Sequence, residues 1–364
     1  MEKKKSKKKI IIISVIAVLS LIVLLLAGWW GLCVYMYEDN INVRCETYEP
    51  LMLRVEDFEG LNCFEYSFQS DKGQRLAGYL YSVGENQRGI VVIAHGFGGG
   101  HNSYMDCAYY FAKNGYYVFA YDATGSDKSE GYLTGGTPQG VIDLEHAISF
   151  IEKNDDINDL PIVLFGHSWG GYSVCNVLTY HPEVRAVIEC SGFNRSSDMF
   201  ESGGKSQAGD AIYLMTPFIR IHERVKFGKY AANTAMKGFE SSTCPVMVVH
   251  SEDDSVIDIS YGYDKYYEKY KDDPRFTFIR FEDRGHNDVF SDPDDTYVDE
   301  FNAEFDSWLQ TLDYDYQAEV NKPRFIKDKA DYITENLDHA RWSSRLDEEL
   351  FEDFLDFYDR AVLQ

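Results

Sequence analysis

The chain has 364 residues, 60 of them Asp or Glu and 35 Lys or Arg, for a formal net charge of −25. A surface this acidic repels phosphate backbones and excludes an ordinary nucleic-acid binder. A hydrophobic share of 45% and an aromatic share of 15% exclude wholesale disorder, and the length allows one large domain or two small ones.

The first residues run against this trend. Met1–Lys9 carries six lysines and one Glu, a local charge of +5. It leads into the apolar run Ile10–Gly28, broken only by Ser14 and Ser20. At about 1.5 Å per helical residue this run spans the hydrocarbon of a bilayer. Trp29, Trp30, Tyr35 and Tyr37 follow, where an interfacial aromatic belt lies. A cleaved secretory signal has a shorter apolar region and small residues at its cleavage site. This one runs into Trp-Trp-Gly-Leu-Cys and reads as a retained single-pass anchor. The lysine cluster stays on the cytoplasmic side, which places everything after Tyr37 outside. The expected segments are a cytoplasmic cap at 1–9, an anchor with its interface at 10–37 and a linker at 38–60.

From residue 61 the chain alternates strand and helix patterns. Strands are expected at Asn62–Phe68, Leu76–Ser82, Gly89–Ala94, Tyr117–Tyr121, Pro161–Phe165, Val184–Cys190, Pro245–His250 and Arg275–Phe281. Helical spacing appears between the later ones, as in Pro138–Lys153, where Val141, Leu144, Ala147, Ile148 and Ile151 share a face. Such alternation implies an α/β fold with a mostly parallel sheet covered on both faces. The first two strands lack a helix between them and are expected to form an antiparallel hairpin edge. The seven cysteines, at 33, 45, 63, 107, 175, 190 and 244, show no metal-binding spacing. Cys107, Cys175 and Cys190 read as buried small hydrophobes, and Cys45 and Cys63 are the two that could pair in an oxidising compartment.

Chemistry-bearing residues collect at three strand ends. After Ile162–Phe165 comes Gly166-His167-Ser168-Trp169-Gly170, a G-x-S-x-G turn that opens a helix through Tyr180. This turn strains the serine backbone and places its hydroxyl at a helix N-terminus. After Pro245–His250 come Ser251-Glu252-Asp253-Asp254, and after Phe276–Phe281 come Glu282-Asp283-Arg284-Gly285-His286. A serine hydroxyl needs a base near pKa 6–7, and that base needs a carboxylate to fix its tautomer. Ser168, an acid near residue 254 and His286 supply these parts in the order Ser…Asp…His.

On these motifs the sequence resembles the α/β-hydrolases over about residues 61–310. The likeness is to the serine aminopeptidase and monoglyceride-lipase-like branch and its membrane-anchored bacterial members. His95-Gly96-Phe97-Gly98-Gly99 resembles the family's oxyanion loop. Tyr121-Asp122-Ala-Thr-Gly125 with Ser129-Glu-Gly131 resembles its turn after the fourth strand, with Asp127 where the family has Gly. The resemblance implies a cofactor-free acyl transfer in which Ser168 attacks a carbonyl, His286 carries the proton and Asp254 orients His286. It puts the acid four residues after His250, at Asp254, with Asp253 as the lesser candidate. It also implies that the backbone N–H groups of Phe97 and Trp169 hold the oxyanion, each worth about 3 kcal/mol.

The remaining histidines carry blander expectations. His95 reads as a loop-shaping residue and His167 as packed in the elbow. His101, His146, His181, His222, His250 and His339 lack any paired metal spacing. Residues 194–240 interrupt the strand–helix rhythm, and the resemblance implies a cap there within a hydrolase domain at 61–312. Ala211–Ile221 is apolar enough either to line an acyl pocket or for ordinary cap packing, and Pro217 should break or kink a helix there. The tail, 313–364, holds 14 acidic and 7 basic residues. Ser344-Arg-Leu-Asp347 resembles a capping box, and it leads into a stripe of Leu346, Leu350, Phe354 and Phe357 or Tyr358. That stripe either packs back on the domain or docks a partner or a second chain.

Three functions follow from this reading. The foremost is a membrane-anchored serine hydrolase of carboxylic esters, of acylglycerol or lysolipid type. The second is a serine peptidase on short peptides, and the third a catalytically silent anchored binding module.

Overall fold

The computed structural model describes residues 2–85 and 87–363, without the side chains of residues 2–6. Met1 and the side chains of Lys3, Lys4 and Lys5 in the expected basic cap lie outside the described residues. Helix α1 runs unbroken over Glu2–Ile41. The strands are β1 (Asn62–Gln69), β2 (Arg75–Ser82), β3 (Ile90–Ala94), β4 (Tyr117–Tyr121), β5 (Ile162–His167), β6 (Ala186–Cys190), β7 (Val246–Ser251) and β8 (Phe276–Phe281). The helices that follow α1 are α2 (Met105–Lys113), α3 (Gln139–Ile151), α4 (Trp169–Val177), α5 (Ser196–Ala208), α6 (Thr216–Phe227), α7 (Ala235–Ser241), α8 (Tyr263–Tyr270), α9 (Tyr297–Leu309), α10 (Lys322–Asn336), α11 (His339–Trp342) and α12 (Glu348–Val362).

The eight strands form one sheet in the order β1-β2-β4-β3-β5-β6-β7-β8. β1 pairs with β2 and β2 with β4 antiparallel, and every later pairing is parallel. The central strands are continuous apolar runs because both their faces are covered, β3 being Ile-Val-Val-Ile-Ala with all five residues buried. On one face lie Leu144 and Ile148 of α3, Trp169 and Tyr172 of α4, and Tyr266 of α8.

The other face is closed by Phe111 of α2 and by Phe351, Phe354, Phe357 and Tyr358 of α12. This corrects the expected end of the domain. Of α9, which lies just before the expected domain end at residue 312, only Tyr297 is buried. The far helix α12 instead covers the sheet, and Tyr358 Oη donates to the carbonyl of Leu164 at 2.7 Å. The apolar stripe of the tail is therefore spent on the chain's own sheet. The expected capping box shifts too. Asp347 caps α12 by accepting the Leu350 N–H at 3.0 Å, while Ser344 Oγ donates to the carbonyl of Ala340. Asp is as good an N-cap as Ser and stands beside the first helical residue.

Between β6 and β7 the helices α5, α6 and α7 form the insertion. The segment 211–221 does not pack only within the insertion. Ile212 and Ile219 are buried with Phe200 against Cys33, Tyr37 and Ile41 of α1. Pro217 stands at the start of α6, where its missing N–H costs nothing, so it opens a helix and does not kink one.

The segment after α1 is stitched to the turn that follows β4. Cys45 N–H donates to Gly125, Asp127 N–H donates to Cys45, and Thr134 N–H donates to Val43. Asp127 occupies the left-handed region at φ 35°, and its carboxylate accepts both the N–H and the hydroxyl of Thr47 at 2.7 Å. All seven cysteines are free, Cys45 and Cys63 included.

Candidate active site

The elbow between β5 and α4 holds Ser168 at φ 56° and ψ −116°, a conformation that a side chain normally avoids. Two glycines make it possible. A Cβ on Gly170 would lie 1.8 Å from the carbonyl oxygen of Ala94, and one on Gly166 would lie 2.4 Å from that of Gly170. Strand, turn and helix can therefore approach only where no side chain stands between them.

The end of β8 brings His286 to this serine, its Nε2 2.9 Å from Ser168 Oγ. The Nδ1 of His286 lies 2.7 Å from Asp254 Oδ2. A carboxylate only accepts, so Nδ1 carries the proton and Nε2 is left to accept from the serine hydroxyl. Asp254 Oδ1 in turn accepts the N–H groups of Val256 at 2.9 Å and Ile257 at 2.8 Å. His250 lies 3.1 Å from Asp254 Oδ2 through its Nε2, which also faces the Ile257 carbonyl at 2.9 Å. Burial raises the pKa of Asp254, but hydrogen bonds from His250 and His286 outweigh it and hold the carboxyl well below the usual range. Asp253 goes elsewhere, accepting the Ser251 hydroxyl and the Gly285 N–H at 2.7 Å each. Between the two candidate acids, the structure joins Asp254 to the histidine.

The expected oxyanion loop lies alongside. The Phe97 N–H has no backbone or side-chain acceptor among the described residues. Trp169 is the first residue of α4, so no carbonyl one turn earlier pairs with its N–H. The Phe97 and Trp169 rings meet edge to face at 5.7 Å, and the Trp169 indole donates to the Thr137 carbonyl at 2.7 Å. His95 shapes this loop, with Nε2 accepting the Ala123 N–H at 2.9 Å and Nδ1 facing the Gly96 carbonyl at 2.7 Å. A cleft of about 500 Å³ opens beside it, lined by Leu51, Leu53, Phe97, Asn287, Phe290 and Trp342.

The family model for serine aminopeptidases (S33) matches residues 85–235, which hold the loop His95–Gly99 and the elbow. The Escherichia coli protein YfhR is 27% identical over 238 residues, covering 62% of this chain and 74% of its own. Monoglyceride lipase of Saccharomyces cerevisiae is 29% identical over 140 residues, covering 35% of this chain and 42% of its own. A Pyrococcus furiosus esterase superposes with a TM-score of 0.53 at 15% identity, covering 74% of this chain and 97% of its own. The chain belongs to the α/β-hydrolase superfamily. It is a hydrolase.

Four residues of this hydrolase carry more than their sequence signals showed. His167, read as elbow packing, is a hydrogen-bonded bridge. Its Nε2–H donates to the carbonyl of His286 at 2.9 Å, and its Nδ1 accepts the Tyr104 hydroxyl at 2.8 Å. Tyr104 itself accepts the Gly96 N–H at 3.0 Å. Burial, and next the neighbouring His286, push the His167 imidazole down to about 3, which keeps it neutral. Glu189 on β6 is fully buried, with Oε2 accepting the Gly192 N–H at 2.8 Å. Among the described residues its Oε1 has no partner, and neither has His250 Nδ1. The placing of His250 four residues before Asp254 was visible in the chain. Nothing in the local sequence marked Tyr104 or Glu189.

Proposed function

We propose that this hydrolase cleaves carboxylic esters of acylglycerol or lysolipid type through an acyl-enzyme on Ser168. The observation that carries this reading is the pair of bonds running from Ser168 to His286 and from His286 to Asp254, at 2.9 and 2.7 Å. Ser168 Oγ attacks the ester carbonyl as His286 Nε2 takes its proton. The backbone N–H groups of Phe97 and Trp169 receive the oxyanion. His286, paired with the Asp254 carboxylate, then returns the proton to the leaving alcohol, and water repeats the sequence on the acyl group. The likeness to a yeast monoglyceride lipase and to a monoacylglycerol lipase of Mycolicibacterium smegmatis, 30% identical over 133 residues, supports an acylglycerol ester.

In this proposal α1 is a single-pass anchor, its lysines are cytoplasmic and the catalytic body lies outside. Its stretch Lys7–Ile41 has a mean hydropathy of 3.4 in its most apolar part. A second reading, an aminopeptidase-like enzyme, draws on the family description matched by residues 85–235. The same serine and histidine would serve an amide.

The test is Ser168→Ala, which should lower hydrolysis roughly 10⁴-fold or more and abolish labelling by a fluorophosphonate. Labelling that persists in the variant refutes Ser168 as nucleophile, and no labelling of the parent supports a silent binding module. Acyl esters of graded chain length run beside aminoacyl amides assign the bond cleaved.

A further inference from the structure

The face that α1 turns toward the body is a stripe of Trp29, Cys33, Tyr37 and Ile41, one residue per turn, with the last three buried. Its partners advance along the cap in step. Trp29 Nε1 donates to the carbonyl of Leu214 at 3.3 Å. Higher up, Tyr37 Oη donates to Glu223 Oε1 at 2.7 Å, and Glu38 receives His222 at 2.6 Å and Lys226 at 2.8 Å. Helix α6 therefore climbs beside α1, and the turn at Tyr213–Leu214 is its low end, level with Trp29. Trp29 directly follows the apolar run Ile10–Gly28, so a bilayer that accepts that run brings its interface to the height of Leu214.

The low end of the cap has the chemistry of an interface. Leu214 at that end is 66% exposed, and higher on the outer side of α6, toward the level of Tyr37 and Glu38, Ile221 and Val225, one turn apart, are 52% and 78% exposed. Charge distinguishes the insertion as a whole. Residues 194–240 carry seven Lys or Arg and five Asp or Glu in a chain whose balance is 35 to 60. Three of those acids, Asp198, Glu201 and Glu223, are buried. Arg224, on the outer side, has no carboxylate within 4.0 Å among the described residues. The turn at the level of Trp29 is thus apolar, with Asp210 its one charged residue, while Arg220, Arg224 and Lys226 stand higher on α6, toward the headgroup side of that level.

We infer that the turn at Tyr213–Leu214 and the outer side of α6 rest in the headgroup layer of the leaflet from which α1 emerges, so that the cap is itself a membrane-binding element. This rests on the reading of α1 as an anchor. It deepens the proposed function by giving the cap direct access to lipid-borne esters.

The test uses the full chain in vesicles of phosphatidylcholine and anionic phosphatidylglycerol. Nitroxide labels are placed by Leu214→Cys, by Ile16→Cys within the span and by Val320→Cys on the tail, each with Cys63→Ser to remove the half-buried native thiol. Collisions with oxygen and with a water-soluble nickel chelate report depth. The inference expects the Leu214 label to favour oxygen several-fold over the Val320 label. A Leu214 label as aqueous as Val320 beside a deep Ile16 label overturns the cap contact and leaves the anchor standing. A Leu214 label shielded from both reagents overturns it in favour of a protein neighbour. An aqueous Ile16 label removes the anchor reading and the inference with it.

Discussion

Tyr104 and His167 share a hydrogen bond of 2.8 Å that ties the loop after β3 to the loop of His286 through the floor of the elbow. The tyrosine hydroxyl receives the Gly96 N–H, and the far nitrogen of His167 donates to the His286 carbonyl. Three loops from three strand ends are thus held in one register. Tyr104→Phe leaves the Gly96 N–H and His167 Nδ1 unpaired in the interior. The variant should lose about 1–3 kcal/mol in urea unfolding, with kcat on a soluble ester falling several-fold at unchanged KM. A variant of full stability and full kcat would show that the bridge positions nothing.

Glu189 makes folding depend on pH. Burial pushes its carboxyl up to about 7 from 4.5, against the His250 charge and the Gly192 N–H. A group that binds its proton more tightly when folded contributes fully below its ordinary value, and that contribution fades as the pH climbs through about 7. Glu189→Gln holds a neutral group at every pH. Between pH 5 and pH 8 the parent should therefore lose up to about 3 kcal/mol relative to this variant. Urea midpoints of the two proteins across that range measure it, and parallel curves would contradict it. His167 works in the opposite sense, since its lowered pKa costs stability as the pH falls below 6.5 toward 3, but it cancels in the comparison.

Phe354 is fully buried between α12 and the sheet, its ring 6.0 Å from that of Phe165. Phe354→Ala should cost about 3–5 kcal/mol, whereas Val320→Ala at an exposed position should cost under about 0.5 kcal/mol. Equal and small losses in thermal unfolding would mean that the tail is an appendage.

Much of the fold could be read from the chain because its signals are local. Every strand was visible as a short apolar or alternating run ended by turn residues, and Gly166, Ser168 and Gly170 announced their own turn. What escaped depends on contacts distant in sequence. The periodic pattern of α12 marked a buried face without saying that it would replace α9 on the sheet. Ala211–Ile221 was equally apolar for a pocket or a packing role, and only the course of α1 beside it decided that Ile212 and Ile219 meet Tyr37. The acid presented a similar choice. Asp253 and Asp254 are chemically equal, and the Val256 and Ile257 N–H groups that hold Asp254 come from a loop whose shape no spacing rule gives.

The docking of Tyr37 and Ile41 has a practical corollary for work on this enzyme. On the proposed reading of α1 as an anchor, the division between anchor and hydrolase body falls inside a helix, not after it. A fragment begun at residue 40 would discard Cys33 and Tyr37 and would leave the Glu223 carboxyl, whose partners are Tyr37 and Ser196, with one donor and an open flank. Cutting before Trp29 keeps that stripe with the part it holds together.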